Sequence, residues 1–102
     1  MGKFHKAAKK QDIPEGQGIV CEVGGKPIAL FNVGGDFCAI SNTCLHKGGP
    51  LGEGDLDGTV VTCPWHAWQW DVKTGCNVEN QDQKVPRYNV KLEGEDILVE
   101  LP

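Results

Sequence analysis

The sequence predicts an all-β fold of small antiparallel sheets, and three observations carry that expectation. Glycine and proline are dense, 14 and 6 among 102 residues, so turns interrupt the chain every few positions. The segments between them are short and rich in β-branched or alternating apolar residues. No stretch sustains the three- and four-residue apolar spacing of a helix: Glu15-Gly16-Gln17-Gly18 is broken by glycine, and the run after Cys44 by Gly48-Gly49-Pro50.

Taken in order, the candidate strands are 4–8, 18–23, 27–33, 37–41, 59–62, 68–72, 88–92 and 97–101. Gly24-Gly25 joins the second to the third as a tight hairpin, and Gly34-Gly35-Asp36 joins the third to the fourth. Leu92-Glu93-Gly94-Glu95-Asp96-Ile97 reads as a last hairpin, so the chain finishes as a β ribbon. There is no internal repeat and no linker. The length accommodates a single domain, residues 1–102, with a loop-rich insert at about residues 43–70 inside a β base.

Composition narrows the function classes. A formal charge of −4 speaks against nucleic acid, whose phosphates require clustered Lys and Arg. Lys3, Lys6, Lys9 and Lys10 carry no interleaved aromatics and read as a solvated edge. No apolar run reaches the ~18–20 residues of a membrane span, and Met1-Gly2-Lys3-Phe4-His5 lacks the apolar core of a signal peptide. The expected compartment is therefore the cytoplasm, where thiols stay reduced. An odd cysteine count, five, argues further against a disulfide framework. No G-x-G-x-x-G opens a helix, so nothing points to a nicotinamide or flavin site.

Two of the three histidines each follow a cysteine closely. Cys44-Leu45-His46 is C-x-H and Cys63-Pro64-Trp65-His66 is C-x2-H, with 16 residues between His46 and Cys63. Two thiolates and two imidazoles make a four-ligand metal set, with Gly, Pro and Asn around it to let loops converge. By residue type alone the set suits tetrahedral zinc or a two-iron cluster with mixed ligation. Common zinc fingers pair cysteine with cysteine and histidine with histidine. Here each loop supplies one of each, which suits two irons.

The pattern resembles the Rieske iron–sulfur domain, and the likeness runs along the whole chain through Leu45, Gly48-Gly49-Pro50-Leu51, Pro64-Trp65, Trp68, Thr74-Gly75 and the stretch from Val85-Pro86 to Gly94. The resemblance implies a Rieske-like fold and one [2Fe–2S] cluster. Cys44 and Cys63 would hold the inner iron, and His46 and His66 the outer iron that accepts the electron. High-potential members carry an extra cysteine in each loop, forming a disulfide; Gly49 and Trp65 occupy those positions here. The serine and tyrosine that donate hydrogen bonds in that branch are replaced by Trp68 and Trp70. Fewer donors imply a value toward the low end of the ~−150 to +300 mV Rieske range.

Soluble ferredoxins of bacterial ring-hydroxylating oxygenase systems are similar in size and in the run Cys63-Pro64-Trp65-His66-Ala67-Trp68, although Ala67 stands where many have glycine. That likeness implies an electron carrier, not an enzyme, passing single electrons from a flavin reductase to a terminal oxygenase. The alternative is a small redox subunit of a larger enzyme, resembling that of assimilatory nitrite reductase. His5, alone, cannot build a separate two-histidine iron site. Cys21 and Cys38 read as packing residues, and Cys76 as a thiol beside the Thr74-Gly75 turn with no activating neighbour. Trp65, Trp68 and Trp70 form the densest aromatic patch, expected mainly to pack beneath the cluster loop, with Trp65 also a candidate shield or partner contact. Lys47, Gly49 and Pro50 are candidates for a docking rim, and Pro86 for a covering loop.

Overall fold

Glycine turns with positive φ fold the chain back on itself, and the resulting strands assemble three antiparallel sheets in the computed structural model. It describes residues 3–42, 50–65, 68–80 and 82–101. The first sheet has the order β1 (Lys3–Lys9), β10 (Asp96–Leu101), β9 (Val90–Glu93). The second runs β2 (Gly18–Val23), β3 (Lys26–Val33), β4 (Asp36–Ser41), β8 (Arg87–Tyr88). The third is β5 (Asp55–Asp57), β6 (Val60–Thr62), β7 (Gln69–Asp71). Two short 3-10 turns, Lys10–Asp12 and Leu51–Glu53, are the only helical elements among the described residues.

Burial follows from sequence pattern. In β10 the residues Ile97, Val99 and Leu101 alternate inward, as a strand with one face on a core requires. β3 instead carries an unbroken apolar run, Ile28-Ala29-Leu30-Phe31, and all four residues are buried. Such a run marks a strand covered on both faces. Ile28 and Leu30 join one core with Ile97, Val99, Leu101, Cys21 and Val23. Ala29 and Phe31 face the other way, into a second core with Ile40, Leu51, Val61, Cys63, Trp70, Val72 and Val85. The four-stranded sheet thus lies between the first sheet and the third.

Hairpin expectations hold at Gly24-Gly25, with φ of 57° and 81°, which close Val23 onto Lys26. The turn after β3 is narrower than Gly34-Gly35-Asp36, because Asp36 already pairs with Val33. Two readings require correction. The strand expected at 88–92 is divided: Arg87–Tyr88 pairs with β4, whereas Val90–Glu93 pairs with β10. Asn89 stands at the crossing, its carbonyl accepting from Glu100 N at 2.9 Å and its side-chain amide donating to Glu100 Oε1 at 2.8 Å. The other correction is β5, an Asp-Leu-Asp segment read as loop because acidic residues disfavour strands. Gly58, at φ 63°, turns it onto β6, so pairing overrides propensity.

Candidate metal centre

The C-x2-H motif begins where β6 ends. Val61 and Cys63, two residues apart, share one face of that strand, and both are buried in the second core. Cys63 is 1% exposed. Its N–H donates to the Trp68 carbonyl at 2.8 Å, so the chain leaves β6 and re-enters at β7 with the two ends tied. β7 then pairs Trp70 directly with Val61. This register sets Trp70 diagonally across from Cys63 on the same face.

The C-x-H motif is framed by a second tie. Asn42 follows β4, its carbonyl accepting from Leu51 N at 2.8 Å and its Oδ1 from Gly52 N at 2.7 Å. Gly52 is required at this point: a β-carbon there would sit 2.8 Å from the Ile19 carbonyl and 2.7 Å from a Val20 methyl. Gly54 has the same need, because a β-carbon would run into the Thr62 carbonyl across the β5–β6 hairpin. Ser41 N donates to Pro86 O at 2.8 Å, which brings the 85–87 stretch beside the frame while Pro86 itself stays exposed.

Cys44, His46 and His66 lie outside the described residues, as do Leu45, Lys47, Gly48, Gly49 and Ala67. Among the described residues no three metal-ligating side chains meet. What the fold brings together is the frame of both motifs. Ile40 before the first loop, Leu51 after it and Cys63 at the start of the second all belong to one core. Two loops opening from one layer can converge on one group.

The remaining cysteines behave as packing residues. Burial pushes the Cys21 thiol above its ordinary range, and the negative charge of Asp12 adds to the effect. Burial also raises Cys38, reinforced by Asp36 and Asp71 and opposed by Lys73 and Arg87. Both are therefore held as neutral thiols rather than nucleophilic thiolates. Cys76 is half-buried and bridges to Lys84 just past the Thr74-Gly75 turn. His5 is exposed on β1, an edge strand.

The tryptophans do not share one role. Trp70 is fully buried, Trp68 is half-buried with its ring centroid 6.2 Å away, and Trp65 is 59% exposed. Trp65 is thus turned largely to solvent, whereas Trp70 belongs to the second core and Trp68 packs against it; the cluster loop expected above them lies outside the described residues. Sequence reasoning overlooked two features: the Asn42 tie and the indole N–H of Trp70. Asn42 carried a signal, since Asn at a loop boundary readily accepts from nearby backbone. Trp70 carried none, because its Nε1 is buried without a hydrogen-bond partner only once the chain is folded. A buried cysteine thiol and an unpaired donor in one apolar layer fit a sulfur-rich anionic group.

The sequence profile of the Rieske [2Fe-2S] domain matches residues 3–98. The ferredoxin component of a naphthalene 1,2-dioxygenase system from Pseudomonas aeruginosa is 35% identical over 102 residues, 97% of this chain and 96% of that protein. The 3-phenylpropionate/cinnamic acid dioxygenase ferredoxin subunit of Escherichia coli (strain K12) is 40% identical over 93 residues, 89% and 87% of the two chains. Among solved structures, a chain in the complex of reduced oxygenase and oxidized ferredoxin in carbazole 1,9a-dioxygenase is 30% identical with a TM-score of 0.84, covering 94% of this chain and 91% of that one.

Proposed function

This chain belongs to the Rieske [2Fe–2S] domain family, and from that premise we propose that it is a ferredoxin shuttling single electrons from a flavin reductase to a terminal oxygenase. Cys44 and Cys63 hold the inner iron of its one cluster, and His46 and His66 the outer iron. The observation that carries the reading is a short step from core to surface: Cys63 is 1% exposed, and Trp65, two residues later, is 59% exposed. A centre anchored at Cys63 has apolar packing behind it and solvent a residue or two away. That arrangement suits exchange of an electron with a docked protein.

The cluster supplies one-electron chemistry, and its oxidised charge offsets the two thiolates that bind it. The protein supplies the rest. Asn42 and Gly52 tie the ends of the first loop, the Cys63–Trp68 bond ties the second, and Trp65 presents an aromatic surface to a partner. The matched chain at 30% identity comes from a complex of an oxygenase with a ferredoxin, which supports the acceptor side. In this reading the chain passes electrons on and leaves the substrate chemistry to its partner. We read the 102 residues as one cluster-carrying unit working in the cytoplasm. Among the described residues no helix is long and apolar enough to cross a membrane.

The test is a potentiometric titration of the purified protein with electron paramagnetic resonance of the reduced form across pH. The expected result is a Rieske-type anisotropic signal and a potential in the lower part of the family range, flat near neutral pH. A colourless protein with stoichiometric zinc overturns the reading, and a high potential that falls near pH 7 removes the ferredoxin assignment.

A further inference from the structure

Polar groups buried in this fold are otherwise paired with care. Asn32, 8% exposed, donates to the Ile13 carbonyl at 2.8 Å and accepts from Gly35 N at 2.9 Å. Asn77, 5% exposed, accepts from Glu79 N at 2.9 Å and Asn80 N at 3.0 Å. Among the described residues, one buried side-chain polar atom lacks a partner, and it is Nε1 of Trp70. A folded chain rarely leaves a donor in that state, because nothing replaces the hydrogen bond it made to water.

The neighbourhood narrows what the missing acceptor is. Trp70 is fully buried in the second core among Phe31, Leu51, Val61, Val72 and Val85, none of which offers a side-chain acceptor. A trapped water needs two to four polar partners, and these side chains provide none. The fully buried member of that core with chemistry is Cys63, while Cys38, only partly buried, packs against the same core and is held as a neutral thiol, a weak acceptor. Because Val61 pairs with Trp70 and Cys63 follows Val61 on the same face, the indole and the thiol are diagonal neighbours across the β6–β7 ladder. At that spacing a long aromatic side chain and whatever Cys63 binds come within reach of one another.

We propose that the Trp70 indole N–H donates a hydrogen bond to a sulfur of the iron–sulfur centre anchored by Cys63, and thereby raises its reduction potential. The proposal rests on the cluster reading given above. Reduction adds one negative charge to the centre, so a donor aimed at an anionic sulfur stabilises the reduced form more than the oxidised form. Trp70 is thus a positioning and tuning residue. Replacement of the usual hydroxyl donors by tryptophan then leaves one donor in place of none, and the potential lies above what their absence alone implies.

The experiment uses the holoprotein and compares wild type with Trp70→Phe, which keeps an aromatic ring and removes the N–H. The expected result is a reduction equilibrium constant lower by about tenfold, ~59 mV for one electron. Val72→Ala, a volume change in the same core with no polar atom involved, serves as the packing control and leaves the potential in place. A second measurement covers the case in which Trp70→Phe fails to load. Pulsed electron paramagnetic resonance of reduced, 15N-tryptophan-labelled protein shows an indole nitrogen coupling that persists in the Trp65→Phe/Trp68→Phe double variant. An unchanged potential in loaded Trp70→Phe overturns the proposal. So does a fall matched by Val72→Ala, or absence of the nitrogen coupling in the double variant. A wild-type protein with no iron–sulfur signal at all removes the underlying cluster reading instead.

Discussion

The four-stranded sheet and the small sheet β5–β7 press on the same core, yet they are held by different forces. β3 spans eight residues and is buried on both faces, so its place is set by apolar packing from two sides. β5, β6 and β7 are three residues each. Strands so short carry few ladder bonds, and the region is stitched instead by side chains gripping nearby backbone. Asp71 Oδ1 accepts from Lys73 N at 2.8 Å and Thr74 N at 3.3 Å, Thr74 Oγ1 from Cys76 N at 3.2 Å, and Asn80 Oδ1 from Asp82 N at 3.1 Å. Gly75, at φ 79°, closes this stretch against the Val85 carbonyl, where a β-carbon would sit 2.6 Å away. The difference teaches that the base rests on apolar packing from two sides, whereas the site region packs on one face and is otherwise tied by side chains; the expectation that follows is that its bound group completes it.

The largest effect should come from removing that group. In Cys63→Ala the visible chromophore is lost outright, and amide hydrogen exchange across 55–71 rises toward the unprotected limit while β3 stays protected. Uniform loss of protection in both sheets would show that the two regions are one cooperative unit and break the comparison. Next is Ile28→Ala, which opens a cavity in the core the site does not touch. It should cost ~2–5 kcal/mol in denaturant melts and leave the reduction potential unchanged. A shifted potential would mean that the base tunes the site through β3. Smallest is Asn42→Ala, which keeps the backbone bond to Leu51 N but strips the acceptor from the buried Gly52 N. The cost should be ~1–3 kcal/mol, seen as faster loss of iron during incubation with chelator, at unaltered potential. Iron retention equal to wild type would return Asn42 to an ordinary turn residue.

The long strands were legible because their boundaries are chemical. Gly24-Gly25 and Gly34-Gly35 sit at positive φ, which other residues adopt at a cost, and the apolar runs between them had to be buried. The four proposed ligand positions stand out in the sequence for another reason: sulfur and imidazole in C-x-H and C-x2-H form a local pattern, and a profile match across 3–98 places that pattern in one family. What escaped was pairing at a distance. Nothing near Asn89 states that the residues before it join β4 and those after it join β10. Asp55–Asp57 becomes a strand because Gly58 delivers it to β6, not because of its own preference.

Trp65, Trp68 and Trp70 show the division most clearly. As letters they are three equal apolar side chains in six residues. The strand period of two, applied to β7, turns Trp70 inward, while the turn at Pro64-Trp65 lifts Trp65 into solvent. The sequence by itself determined the all-β class, the turns and the two motifs that carry the proposed ligands, since each rests on the chemistry of a residue and its near neighbours. Only the tertiary structure decided which core Cys63 enters and which indole is buried without an acceptor. Burial and hydrogen-bond satisfaction belong to the packed layers together, and no single segment contains them.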